Sequence, residues 1–338
     1  MKKSHNFWLR AWYGESRWTY WLLPLSWLFL IISNIRKFFL IHFSQKKLSI
    51  PVIVVGNISV GGTGKTPLII ELVKYLQAQG NKPGVVSRGY GGDSVQYPFL
   101  LNGQSKASEC GDEPLLIYRD TQCAVCVSPN RVEAAKCLVE AGCTHILSDD
   151  GLQHYRLGRE MEIAVVDGHR LFGNQKLLPV GPLREPIKRL KSVDLIVINS
   201  PAKKGLLSGF DYVYSMNIQP LSWRNLLSQE IVSLKNISFK SQVHAVAGIG
   251  NPERFFKTLD GLSLHYYAHH FSDHYKFSQN DFDSYQDETV VMTEKDAVKC
   301  SEFAKKNWYS LIVGAQLSDT FWKAFQQKLD SLKENENY

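Results

Sequence analysis

The chain of 338 residues is longer than one hydrophobic core usually holds, so two domains or one large α/β unit with additions are expected. A hydrophobic share of 44% with 12% aromatic residues excludes an intrinsically disordered chain, and 24 Gly with 13 Pro exclude a collagen-like one. The 39 Lys+Arg against 32 Asp+Glu leave a net charge of +7, which favours acidic partners such as phosphorylated ligands, anionic lipid headgroups or nucleic acid without choosing among them.

The first element is apolar. No residue between Arg17 and Arg36 is charged, and Tyr20–Ile32 is strongly hydrophobic. At ~1.5 Å per residue this window only just crosses a hydrocarbon core of ~30 Å. No small-residue cleavage site follows it, which argues against a secretory signal. Lys2, Lys3, Arg10 and Arg17 lie before it and Arg36, Lys37, Lys46 and Lys47 after it, so charge gives no orientation. Basic flanks with Trp12, Trp18, Trp21 and Trp27 suit a helix lying in a membrane interface, and the alternative is a helix packed on its own domain. Residues 1–49 form this segment.

From Ile50 the pattern changes. Ile50–Val55 is a β-branched run of buried-strand type, and Leu68, Ile69, Leu72, Val73 and Leu76 recur at helical spacing after it. Between them lies Gly56-Asn57-Ile58-Ser59-Val60-Gly61-Gly62-Thr63-Gly64-Lys65-Thr66. Strand, glycine-rich loop, Gly-Lys-Thr and helix are the context of a phosphate-binding loop, with nucleotide contacts expected at Ser59, Val60, Gly61, Gly62, Thr63, Gly64, Lys65 and Thr66. Small residues let consecutive amides wrap the phosphates, Lys65 bridges the β- and γ-phosphates, and the Thr66 hydroxyl binds Mg²⁺. Ser59 stands where the usual motif has its first glycine, and Gly61 and Gly62 are expected to supply the turn.

Further strands are expected at Val85–Ser87, Ala124–Val127, His145–Leu147, Ile163–Val166 and Leu195–Ile198, with a helix from about Asn130 to Glu140. Alternating strands and helices imply a mainly parallel sheet with ligands at the strand C-terminal ends. There the strand at His145 runs into Ser148-Asp149-Asp150-Gly151, aspartates suited to hold Mg²⁺ or its water; a polar turn is the other reading. The six cysteines lack metal-ligand spacing and read as reduced core residues. A shift in composition at Ser200–Gly205 and an alternating run at Asp211–Gln219 suit a hinge between a lobe of residues 50–210 and a smaller lobe of residues 211–338. The second lobe opens at Gln242–Ala247, where Gly248-Ile249-Gly250-Asn251-Pro252 reads as a turn with a helix cap, continues through Thr289–Met292, and closes with a helix from about Ser318.

Several stretches then act as a set: Gly61–Pro67, Arg88-Gly89-Tyr90, Gly111-Asp112-Glu113-Pro114, Ser148–His154, Gly181-Pro182-Leu183-Arg184-Glu185-Pro186, Phe271–Phe277 and Thr293-Glu294-Lys295-Asp296. In kind and order this set resembles the tetraacyldisaccharide 4′-kinases, the lipid A 4′-kinases of Gram-negative bacteria. The resemblance implies ATP and Mg²⁺ as cofactors and phosphorylation of the 4′-hydroxyl of a tetraacylated glucosamine disaccharide 1-phosphate. It also implies two α/β lobes with the active site between them, at the cytoplasmic face of the inner membrane. The partners expected are the acylated lipid and the inner-leaflet surface, with no nucleic acid and no obligate protein partner. By motif, Asp112 is the catalytic base with His274 beside it, and Thr66, Asp149, Asp150 and Glu185 serve the metal. Without the resemblance Asp112 reads as a helix N-cap. Lys65, Arg131 and Arg184 are the candidates for stabilising the transferring phosphoryl group. The rival class is a membrane-associated regulatory ATPase or GTPase with no small-molecule acceptor; the spacing of Thr293–Asp296 is wrong for a guanine reader.

Overall fold

The computed structural model of the chain describes residues 2–14, 17–200, 207, 209–237, 239 and 242–335. The stretch Pro201–Gly205, expected to mark a change of lobe, lies outside the described residues. Helix α1 (Lys2–Tyr13) and a 3-10 turn (Trp18–Leu22) lead into α2 (Leu23–Phe43), whose first turn carries Pro24 where no amide is needed. The first α/β series is β1 (Val52–Gly56), α3 (Lys65–Ala78), β2 (Pro83–Ser87), β3 (Phe99–Leu100), α4 (Ala107–Cys110), α5 (Asp112–Thr121), β4 (Ala124–Val127), α6 (Arg131–Glu140), β5 (His145–Asp149), β6 (Met161–Asp167) and β7 (Leu195–Asn199). The second is β8 (Val213–Asn225), β9 (Ile231–Ser233), β10 (Val243–Ala247), α7 (Pro252–Gly261), β11 (Tyr266–His270), β12 (Val290–Thr293), α8 (Glu294–Cys300), β13 (Trp308–Leu317) and α9 (Asp319–Asn335).

Every residue of β1, β2, β5 and β7 is buried, as strands of a parallel sheet covered by helices on both faces must be. All strands join one 13-stranded sheet in the order β3-β4-β2-β5-β1-β6-β7-β8-β13-β12-β10-β11, with β9 on β8. The α/β architecture and mainly parallel sheet expected from the sequence are therefore present, and the two series share one sheet. Strand β8 makes the junction. Its start runs parallel to β7, with Val213 beside Ile196, and its remainder antiparallel to β13, ending with Asn225 beside Tyr309. Pro220 cannot donate to that ladder, and the register shifts opposite it, between Ile312 and Val313.

Ile69, Leu72 and Leu115 pack with Phe321 and Phe325 of α9 on one face of the first series, and Val132, Leu138 and Phe172 pack on the other. The closing helix thus crosses back from the second series: Tyr75 and Trp322 stack at 4.5 Å, and Tyr75 Oη donates to Gln326 Oε1 at 2.8 Å. Phe282, Met292 and Trp308 fill one face of the second series and Phe255, Leu259 and Leu311 the other. All six cysteines are free, and only Cys137 is not buried.

One side of α2 rests on the body, where Ser26 Oγ donates to Leu177 O at 3.1 Å and Lys37 Nζ lies 4.6 Å from the Tyr155 ring. The other side is bare, with Trp27 71% and Phe43 71% exposed, and Trp21 in the turn before it is 89% exposed. Among the described residues, Trp18–Phe43 is the one helical stretch long and apolar enough to cross a membrane. The end of α1 is docked too: Trp12 Nε1 donates to Pro179 O at 3.0 Å, and Asn174 N donates to Trp12 O at 2.9 Å.

Candidate active site

The parallel pairing of β1 and β5 sets Val55 beside Asp149, so the loop leaving β1 and the aspartates leaving β5 emerge together at one sheet edge. Residues 57–64 form the loop and Lys65 opens α3. Gly61 and Gly64 adopt φ of +111° and +93°, so the turns come from them, and Ser59 needs no left-handed backbone. Ser59 instead forms a bridge with Leu183, Val60 N donates to Pro182 O at 2.8 Å, and Arg184 N donates to Ile58 O at 2.7 Å. The Gly181–Pro186 stretch is thereby the outer wall of the loop. From the other side Asn57 Nδ2 donates to Gly61 O at 3.2 Å and fully buried Asn199 donates to Thr63 O at 2.8 Å. A side chain at position 64 would overlap Asn199 Nδ2.

Asp150 sits between two cations, 3.4 Å from Lys65 Nζ and 2.9 Å from Arg184 Nη1. Burial opposes its charge, but Lys65 and Arg184 outweigh it and hold the carboxyl well below the usual carboxylate range. Asp149, 2% exposed, behaves oppositely: burial first and Glu113 next push its carboxyl well above that range, against Lys65. Its Oδ2 accepts from Ser87 Oγ at 3.2 Å, while Oδ1 has no hydrogen-bond partner, nor has the buried Thr63 hydroxyl. No three His, Cys, Asp or Glu side chains cluster as a ligand set among the described residues. Oxygen donors that leave most of a coordination shell to phosphate and water fit a Mg²⁺ held jointly with a nucleotide. Thr66, at the start of α3 and 9% exposed, belongs to the same end of the sheet.

Two expected residues are engaged elsewhere. Glu185 Oε1 accepts the Tyr155 hydroxyl and Oε2 lies 3.3 Å from Arg189 Nε, in a buried network that Arg189 extends to Glu162 at 2.6 Å. Arg131, 4% exposed, donates through Nη1 to the carbonyls of Asp149 and Val86 and to Ser148 Oγ, so its guanidinium braces the ends of β2 and β5. These are the contacts made by the residue expected to serve the metal, Glu185, and by one expected to face the phosphoryl group, Arg131.

The second centre spans the two series. Asp112 is the first residue of α5, after Gly111 in the N-cap position, and its Oδ1 accepts from Glu113 N at 3.0 Å. Its carboxylate faces His274 of the second series, with Nδ1 3.2 Å from Oδ1 and 3.1 Å from Oδ2. Burial opposes both charges, yet the shared hydrogen bond wins: the Asp112 carboxyl is held below its ordinary value and the His274 ring above its own. Lys295, 2.6 Å from Glu113 Oε1, lowers Asp112 further and opposes the charge on His274. His274 has φ +54°, a costly backbone for a non-glycine residue, and its ring meets Tyr90 edge-on at 4.8 Å. The glycines of Arg88–Gly92 let that loop lie directly on α5's start: a Cβ on Gly92 would sit 2.5 Å from Gly111 N.

The two centres are near enough to interact. Glu113, next to Asp112, acts electrostatically on Asp149, and a Cβ on Gly250 of the second series would lie 3.9 Å from Gly62 N. Sequence reasoning missed Asn199, Lys295 and Arg170, whose Nη1 reaches 3.6 Å from a Cβ placed on Gly61. A polar residue ending a parallel strand was a usable signal for Asn199; Lys295 stood inside a quoted motif without a role, and Arg170 had no local signal.

Residues 18–330 match the family described as LpxK, Tetraacyldisaccharide-1-P 4'-kinase. The chain is 46% identical over 332 residues to a tetraacyldisaccharide 4'-kinase of Hahella chejuensis, covering 96% of each chain. It is 44% identical over 343 residues to one of Methylobacillus flagellatus, covering 99% of this chain and 100% of that one. A crystal structure of LpxK from Aquifex aeolicus in complex with ATP superposes with a TM-score of 0.76 at 28% identity, covering 95% of this chain and 100% of that one. With its phosphate loop, paired aspartates and Asp–His pair on a matching fold, the chain belongs to the tetraacyldisaccharide-1-P 4'-kinase family.

Proposed function

We propose that the chain transfers the γ-phosphoryl group of ATP to the 4′-hydroxyl of a tetraacylated glucosamine disaccharide 1-phosphate, with Mg²⁺ on the nucleotide. Family membership and near-full-length relatives support the kinase reading. The observation that carries the chemistry is the Asp112–His274 pair, a buried carboxylate and a half-buried imidazole from two different α/β series, with Glu113 beside Asp112 acting electrostatically on Asp149.

In this reading the 4′-hydroxyl proton goes to the Asp112 carboxylate as its oxygen bonds the γ-phosphorus, and the bond from that phosphorus to the bridging oxygen breaks, leaving ADP. Asp112 is ionised at neutral pH because His274 keeps its pKa low, and His274 fixes the carboxylate's direction. The amides of Gly61–Gly64 and the start of α3 receive the phosphates, and Lys65, freed from Asp150, spreads the developing charge. Arg184 keeps Asp150 charged in the meantime. Thr66, Asp149 and Asp150 would hold Mg²⁺, which neutralises phosphate charge when bound. Glu185 and Arg131 act indirectly, as anchors of the loop wall and of the strand ends.

The bare face of α2 would rest in the cytoplasmic surface of the inner membrane, holding the cleft where a multiply acylated acceptor stays. Residues 50–210 and 211–338 would serve as nucleotide and acceptor lobes meeting at β8 and β13. Incubation with ATP and the disaccharide should raise the lipid's mass by one phosphoryl group, and an analogue blocked at the 4′-hydroxyl should gain none. Equal phosphorylation of the blocked analogue would reject the site of transfer.

A further inference from the structure

Helix α7 belongs to the second series, yet one side chain in its first turn reaches the end of β7 in the first. Arg254 Nη2 donates to Asn199 Oδ1 at 2.6 Å and to Ser200 Oγ at 3.2 Å, at the end of β7. Asn199 is fully buried, and its amide nitrogen is spent on Thr63 O at 2.8 Å, so its orientation is fixed from both ends. The start of α7 is itself held: Asp296 accepts from Gly248 N at 2.9 Å, Thr293 Oγ1 donates to Asp296 at 2.6 Å, and Gly250 lies against Gly62. A continuous line of hydrogen bonds and backbone thus runs from the second series to the residue beside Gly64, where the Asn199 amide fills the space a side chain would need.

We propose that Arg254 is a positioning residue which, through Asn199, sets the phosphate loop according to how the second series is seated. The acceptor-side half, which carries His274, then adjusts the nucleotide-side half before transfer. This rests on the kinase reading above. A guanidinium suits the task because its Nη2 engages Asn199 and Ser200 at once from a rigid planar group, whereas a lysine ammonium on a flexible stem loses more freedom on holding the same two contacts.

The test compares wild type, Arg254→Ala, Arg254→Lys, Asn199→Ala and the Arg254→Ala/Asn199→Ala double variant in steady-state transfer from ATP to the disaccharide acceptor, with thermal midpoints for each. Displacement of the loop should raise KM for ATP about tenfold and lower kcat on the order of 10–10²-fold, with KM for the acceptor little changed. Lys should recover only part of the loss. The double variant should be no worse than Asn199→Ala alone, because both act through one link. Additive losses, or a fall in kcat that tracks the thermal midpoint while KM for ATP stays constant, would overturn the inference. If wild type itself moves no phosphoryl group to the acceptor, the kinase reading fails instead; if wild type is active and Arg254→Ala matches it, only the positioning role falls.

Discussion

Three side chains carry the chemistry, and each gives a distinct signature on substitution. Lys65→Ala removes a cation whose ion pair among the described residues is with Asp150, and Arg184 still neutralises that carboxylate, so the fold should survive. Transfer should drop on the order of 10²–10³-fold, read by steady-state kinetics beside circular dichroism. A folded, active variant would take the phosphate loop out of the mechanism. Asp112→Asn keeps the shape and loses the proton acceptor, so kcat should fall on the order of 10²–10⁴-fold with KM nearly constant. A variant with wild-type kcat would leave Asp112 a merely structural residue at the start of α5. His274 provides a thermodynamic readout. Its ring is raised above the ordinary 6.5, so its contribution to stability is complete below 6.5 and is lost as pH rises through the folded value. The gap in thermal midpoint between wild type and His274→Gln should therefore be widest in mild acid and narrow toward alkaline pH. A gap that stays constant or widens would mean the Asp112–His274 contact is not an ion pair.

At the level of elements, the two ends of the chain make opposite predictions. Leu25 and Leu28 of α2 are 53% and 52% exposed, so aspartates there should leave the fold intact. They should release the protein from anionic vesicles, because burial of that face contributes about 25 cal/mol per Å². Salt alone should release little, since screening reaches only the basic flanks. Full sedimentation of the double Asp variant would reject the membrane role of α2. Helix α9 is the reverse case. Phe321 and Phe325 are fully buried under α3, so Phe321→Ala should cost about 3–5 kcal/mol in denaturant unfolding although it lies at the far end of the sequence. A loss under about 1 kcal/mol would make α9 an appendage. The sequence displayed the buried strands well: Ala124–Val127 and Leu195–Ile198 are uninterrupted apolar runs. It hid β11, a half-exposed edge strand whose Tyr266-Tyr267-Ala268-His269-His270 lacks any such run, and it hid the return of α9, because a helix's own pattern does not say which core it joins.

Across the whole molecule, what was legible followed sequence distance. The phosphate loop and the paired aspartates are local motifs and were visible as such, and Asp112 with His274 was reached through the family resemblance. Asn199 and Thr63, 136 positions apart, meet only because β7 and β1 end at the same sheet edge, and no local pattern announces that. Glu185 and Arg131 follow the same rule: their place beside motifs was visible, but their contacts with Tyr155, Arg189 and the Asp149 carbonyl join residues that no local pattern links. The central claim is that these parts form one phosphotransfer site, with nucleotide groups on the first series and the acceptor's base shared between both. Its most direct test is the fate of the γ-phosphoryl group when purified protein is mixed with γ-labelled ATP, Mg²⁺ and detergent-dispersed tetraacyldisaccharide 1-phosphate. The label should pass to the lipid, and should fail to do so with Lys65→Ala or Asp112→Asn. Label recovered only as inorganic phosphate, with the lipid unlabelled, would contradict the account.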